Sequence, residues 1–462
     1  MKIYIYLKLF LLLFFENIIF ANYKSKADSI LQLQKDFIFY ANDDELSERK
    51  IFGDNNVSIH DSVFNVSLKF LHQMFSQSPK NMASLLYYGK FKDIFFLIEP
   101  MVTNKIYGKK ILGTDYNRRH IAGRFQKSYI NINKPHYNFY FGRYPIKWGE
   151  SAFSSIIQSG LYPAYDNTLI SFELGKFRYE LLAGTLSSKK NEYGHLIKRY
   201  ISGKRVSIDF NKRYSISAGE QIIYTGENRQ FSMRYLNPFM PYFLTGLEDI
   251  ERDSRFDNDN SMLFFHHKLI LGKGSSSIYN EFIIDDYQID ESGLRHALGL
   301  KLGYDNIFKI KKHHVFLVAE YTNISKLTYR HHGQFTSWQN LEHNIGSPLG
   351  CDIEGFQLKI FTKSLKNRIL NLEFDYLIKG GMNTNSPWIW GDILQNNESY
   401  KKYIFIKLGL TFIKKWGFIE IASKPINQLN SMITNYDELN GKNEITVNFV
   451  YNIKKSINIF KI

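Results

Sequence analysis

Between residues 61 and 455 the chain repeats one pattern roughly 18 times: a run of about 9–11 residues in which side chains alternate in polarity. Along 369–378, Leu370, Leu372, Phe374, Tyr376 and Ile378 fall on one face, and Asn371, Glu373 and Asp375 on the other. Along 403–412, Ile404, Ile406, Leu408, Leu410 and Phe412 alternate with Phe405, Lys407, Gly409 and Thr411. Ile445, Val447, Phe449 and Tyr451 alternate in the same way with Thr446 and Asn448. Successive strand side chains point to opposite faces, so each run has one apolar and one polar face. Such strands suit either a sandwich with a dry core or a barrel in lipid with a wet lumen. Strands of globular proteins peak at about 5–6 residues, whereas a tilted transmembrane strand needs about 9–11. Length and number together predict an all-β membrane fold over residues 61–462, a roughly 18-stranded antiparallel barrel of the outer membrane.

The N-terminal region supports that placement. Residues 1–21 read as a secretory signal peptide: Lys2 and Lys8 precede or flank the apolar run from Leu9 to Phe15, and Ala21 supplies a small residue for cleavage. With the only Cys at position 351, lipid attachment at a processed N-terminal Cys is not expected. Beyond residue 21 no stretch of about 18 uncharged apolar residues occurs, which excludes a spanning helix and leaves a closed barrel as the way to cross lipid. Residues 22–60 differ from the rest: Ile30, Leu33, Phe37 and Ile38 have helical spacing after an Asp28-Ser29 start, predicting a short helical segment on the periplasmic side. Asn211-Lys212-Arg213 reads as a short turn, and 249–260, 323–350 and 383–400 as long polar loops.

Composition agrees. Aromatic residues make up 16% of the chain, with 31 Tyr and 38 Phe, as the girdles at two membrane interfaces require. The 10 Pro are few enough for a chain made mostly of ladder-forming strands. A single Cys permits no internal disulfide. The net charge of +15 favours anionic partners, although a lysine-rich genomic background gives the same count. Export argues against nucleic acid as that partner.

Catalytic and metal chemistry find little support. His266-His267, His313-His314 and His331-His332 are adjacent pairs, and neighbours on a strand diverge, so none chelates one ion there. The stretch 257–261 opens like a calcium loop, but Met262 and Lys268 stand where Gly and Glu are needed. Glu281 and Asp285 share a strand face but lie about 13 Å apart at 3.3 Å per residue, too far for paired acid–base work. No nucleophile elbow or phosphate loop occurs. The residues point to a non-enzymatic protein without metal or cofactor.

Several fixed strings go beyond pattern. Phe141-Gly142-Arg143-Tyr144-Pro145-Ile146-Lys147-Trp148-Gly149 is followed by 159–163, SGLYP. YISGKRV at 200–206 leads to GEQIIY at 219–224 and RYLNP at 234–238. Then come Asp257-Asn258-Asp259, YNEFIIDD at 279–286 and HNIGSPLG at 343–350. In this order and spacing the chain resembles the Wzi family of capsule assembly proteins, from the N-terminal helix to about residue 360. One departure stands after the Trp, where members often carry a Gly-Pro-Gly-like stretch and this chain has Gly149-Glu150-Ser151.

The resemblance implies an eighteen-strand barrel, plugged or narrowed by helical segments on the periplasmic side. It also implies lectin-like attachment of capsular polysaccharide or exopolysaccharide at the cell surface; a monomer in contact with outer-membrane lipid is expected. Arg143, Lys147, Trp148, Arg205, Arg234, Asp285 and Asp286 lie in the family-like strings. Aromatic faces and charged groups of these kinds bind sugars, uronates and phosphates. The same types also hold a barrel and its plug together, and both roles stay open at this point. The alternative function is an outer-membrane diffusion channel for anions or sugars.

Overall fold

In the computed structural model each alternating run forms a strand, and consecutive strands pair antiparallel. The structure describes residues 63–74, 81–91, 93–104, 112–114, 117–161, 163–211, 213–242, 244, 258–272, 275–286, 296–310, 313–331, 333, 335–364, 368–385, 400–414, 417–425 and 443–458. The signal peptide and the helical segment at 22–60 lie outside them.

Eighteen long strands form the wall among the described residues. The first nine are β1 (Val63–Met74), β2 (Asn81–Phe91), β3 (Ile94–Asn104), β4 (Ile121–Lys134), β5 (Tyr137–Tyr144), β6 (Tyr165–Leu174), β7 (Phe177–Lys190), β8 (Leu196–Asn211) and β9 (Tyr214–Gly226). The rest are β10 (Asn258–Leu271), β11 (Ser276–Asp286), β12 (Ala297–Ile310), β13 (His313–Ile324), β14 (Ile353–Ser364), β15 (Arg368–Lys379), β16 (Lys401–Lys414), β17 (Gly417–Pro425) and β18 (Asn443–Asn458). The sheet closes on itself: β18 pairs with β1 from Val63 opposite Asn458 to Met74 opposite Val447. Closure leaves no edge strand among the described residues, as a chain in lipid requires. Pro100 sits inside β3 at a register shift against β4, the kind of irregularity in which a strand tolerates a residue without an N–H.

The two ends of the barrel differ. Connections at the end where β1 begins are two to four residues long, including the turn at 212–213; those at the other end run from five residues to 31. In barrels of this class short turns face the periplasm and long loops the exterior. The strand β10 begins at Asn258, inside the stretch read as loop, because the alternation already starts there.

Polarity is inverted relative to a soluble protein. On β15, Leu370 points outward and is 52% exposed, while its neighbour Asn371 faces the lumen and is 6% exposed. On β16, Ile404, Ile406 and Leu408 are exposed, and Tyr403, Phe405 and Lys407 are buried. Phe91, Tyr137, Phe177, Phe210 and Phe308 are exposed near the short-turn ends, forming part of an aromatic girdle. One buried cluster links wall residues from Leu97 on β3 to Phe405 on β16 through Trp148, Ile156, Trp338 and Ile345, which belong to two long connections folded into the lumen.

Candidate functional site: a lumenal plug

The connections 145–164 and 325–352 leave strand ends with many backbone groups unpaired, and the lumen wall supplies their partners. In the first, Lys147-Trp148 pairs antiparallel with Gln158-Ser159, which pinches off a loop. Glu281 of β11 grips that loop. Its Oε1 accepts the N–H of Glu150 at 2.7 Å and of Ser151 at 2.8 Å, and its Oε2 accepts the N–H of Ile156 at 2.8 Å and Ser155 Oγ at 2.9 Å. Gly149 makes this approach possible: it sits at φ +119°, and a Cβ there would come within 2.4 Å of Glu281 Oε1.

Glu320 of β13 holds the middle of the loop, accepting Ala152 N–H and Ser151 Oγ–H at 2.8 Å each. Lys301 of β12 stands beside it. Its Nζ lies 2.9 Å from Glu320 Oε2 and donates to the Ser154 carbonyl at 2.6 Å. Glu281 and Lys301 are direct cross-strand partners, which places this buried cation on the same stretch of wall as both carboxylates. Buried charges persist only when paired and hydrogen-bonded, and here the loop backbone completes the pairing. The family-like departure at Glu150 bears on this: its N–H donates to Glu281, a bond that Pro at this position could not make.

The described residues of the connection 325–352, most of which fall in the stretch 323–350 read from sequence as a polar loop, pack inside the barrel. Asp285 of β11 accepts Tyr329 N–H at 2.7 Å and Trp338 Nε1–H at 2.9 Å. Arg199 of β8, fully buried, donates to the carbonyls of Phe335 at 2.6 Å and Ser337 at 2.8 Å. Lys379 of β15 donates to the carbonyls of Cys351 and, at 2.6 Å, Met382. The two inward segments also join each other: Ser159 N–H donates to Ile345 O at 2.9 Å, Asn340 Nδ2 to Pro163 O at 2.8 Å, and Tyr329 Oη to Ile156 O. Burial pushes the Tyr329 phenol well above its usual range, so it donates as a neutral hydroxyl.

The residues in the family-like strings separate into three places. Trp148, Arg205 and Asp285 belong to the plug and its wall. The Arg205 guanidinium lies 5.4 Å from the Trp148 ring centroid and pairs with Glu180. Trp148 is 1% exposed, packed on Gly203 and Phe264, so protein rather than solvent covers its ring. Lys147 stands half-buried at the neck of the first loop. Arg143, Arg234 and Asp286 lie elsewhere. Arg143 faces outward on β5 and binds Asp166 through Nε at 3.0 Å and Nη2 at 2.9 Å. Asp286 follows Asp285 on the opposite face and is exposed. Arg234 lies in a short 3₁₀ turn, Met233–Leu236, on the β9–β10 connection.

Sequence reasoning did not single out Lys301, Glu320 or Arg199. Their signal was present as charges inside otherwise alternating runs, which marks a polar wall but not its partners. His266 faces the lumen, 3.7 Å from Glu150, while His267 packs on Tyr214 from the other face, the divergence expected of strand neighbours.

A closed sheet with apolar residues outward, a charged lumen and short turns at one end defines an outer-membrane β-barrel. No family model and no curated protein matches the chain. Among solved structures the chain is similar to Wzi of Escherichia coli, a carbohydrate-binding outer-membrane β-barrel involved in group 1 capsule assembly. The TM-score is 0.59 at 14% identity, covering 89% of this chain and 87% of that one. It is similar at a TM-score of 0.47 and 9% identity to OccK1 (OpdK) of Pseudomonas aeruginosa, covering 86% and 98%. Identities this low bear on the fold alone.

Proposed function

We propose that this protein helps assemble capsular polysaccharide or exopolysaccharide and attach it at the cell surface, as a lectin-like, non-catalytic barrel acting as a monomer. The observation that supports this reading over a diffusion channel is the plug. Glu281, Glu320, Asp285 and Arg199 tie two long connections into one buried cluster that reaches across the lumen. A channel keeps a water-filled path, and wall charges committed to backbone groups leave little to guide a solute. Glycan contact then falls to the exterior end, with Lys147 at the plug neck and Arg143 and Asp286 near the upper strand ends, while Trp148, Arg205 and Asp285 support the surface from beneath. Arg234 lies apart from these residues, in the 3₁₀ turn Met233–Leu236 of the β9–β10 connection.

Deleting the gene and assaying cell-bound against released polysaccharide tests the proposal. The attachment reading predicts a shift of polymer from cells to medium, restored by the wild-type chain. Unchanged retention would sink it.

A further inference from the structure

We infer that residues 227–242, the described first part of the connection between β9 and β10, lie against the outside of the barrel as a flap immersed among acyl chains of the outer leaflet. The wall beneath it breaks the lipid-facing pattern. Lys204 and Glu220 are cross-strand partners on the outward faces of β8 and β9, with Nζ and Oε1 2.9 Å apart, and both are nearly buried. Yet Leu263, opposite Glu220 on β10, and Val206, two residues from Lys204, are apolar and exposed. The pair therefore sits at the level of the apolar band. It lies six residues from the end of β9, about 20 Å along the strand at 3.3 Å per residue.

An ion pair in lipid is costly unless protein covers it, and irregular backbone at that depth must find its hydrogen bonds within the protein. The flap and the wall meet both needs together. Lys204 donates to the carbonyls of Met240 and Asn237, and Glu220 accepts Tyr242 N–H at 2.9 Å. Tyr179 Oη donates to Pro238 O at 3.0 Å, and Tyr242 Oη to Tyr235 O at 2.9 Å. Pro238 and Pro241 carry no N–H to satisfy.

The flap's outer surface presents large apolar side chains. Phe239 is 92% exposed and Met233 72%, with Phe231 also exposed. From Gln230 to Tyr242 the only charged residue is Arg234, whose long side chain can snorkel to phosphate level. A partner protein would be met by some of the flap's polar groups. Here the backbone carbonyls of Asn237, Pro238 and Met240 and the N–H of Tyr242 turn to the barrel, and the exposed Met233 and Phe239 continue the lipid-facing belt of Val206 and Leu263. This inference does not depend on the polysaccharide reading.

Spin labels on Phe239→Cys and Met233→Cys, each in a Cys351→Ala background, test it in the full chain reconstituted into phosphatidylcholine–phosphatidylglycerol vesicles. Retained heat-modifiable migration on gels verifies the fold, and both sites are exposed enough to accept a label. Lipid immersion predicts collision with oxygen far in excess of collision with a water-soluble nickel chelate, matching a label at Val206→Cys and opposite to one at Tyr193→Cys in the 191–195 turn. Nickel access like that at Tyr193 overturns the inference by placing the flap in water. Shielding from both agents overturns it too, by placing a second copy or another protein on the flap.

Discussion

Glu281 accepts the Ser151 N–H at 2.8 Å across 130 residues of sequence, and through this contact the lumen wall dictates the course of an entire connection. Replacing Glu281 with Leu leaves the N–H groups of Glu150, Ser151 and Ile156 buried without their acceptor. Each costs about 1–3 kcal/mol. The expected outcome is a clear drop in the urea midpoint of the refoldable barrel. Lys301→Met should cost about 3–5 kcal/mol by leaving Glu320 buried without its cation. Unchanged midpoints for both would remove the plug anchors from the account.

Trp148 and Gly203 form a fitted pair. A Cβ at Gly203 would stand 2.7 Å from the indole ring, with no room to shift in a ring also packed on Phe264. Trp148→Ala should cost about 3–5 kcal/mol. Gly203→Ala should also destabilise, and the double variant should lose less than the two single costs combined, because the clash disappears with the ring. Additive costs in a denaturation cycle would contradict this packing.

The strands were legible because their information is local. Ile369–Ile378 and Tyr403–Phe412 carry a two-residue period that needs no knowledge of the partner, and the structure extends each by only one or two residues at either end. The plug was not legible for the opposite reason. Residues 323–350 read as a solvated loop because Ser, His, Asn and Gly dominate them, yet a charged lumen can satisfy such residues as well as water does. Tyr329, Phe335, Trp338 and Ile345 were the available hint, since four large apolar side chains suit an interior better than an exterior loop. Asp285 and Arg143 shared the same family-like standing, but alternation sends one inward and the other outward, and only strand register distinguishes them.

Arg143 separates ligand contact from stability. Its pair with Asp166 lies on the outer wall, with Asp166 64% exposed, so Arg143→Ala should change stability by no more than about 1 kcal/mol. The same variant should lower surface retention of polysaccharide if the rim carries glycan contact. A large loss of stability would instead assign Arg143 to the framework.

Cys351 offers a reporter of plug order. It is fully buried at the end of the second inward segment, and burial pushes its thiol above the usual range, which keeps it protonated at neutral pH. A maleimide reagent should leave the folded protein unmodified and label it fully in denaturant. Fast labelling of the folded chain would mean that the segment opens readily.

The closed lumen is the central claim, and ion conductance across a planar bilayer tests it most directly. The wild-type chain should give no steady open-channel current, whereas a Glu281→Ala/Glu320→Ala variant that still folds should conduct, because the first inward loop loses both of its carboxylate anchors. A stable pore current from the wild-type chain, unchanged in that variant, would contradict the plugged barrel and return the protein to the class of diffusion channels.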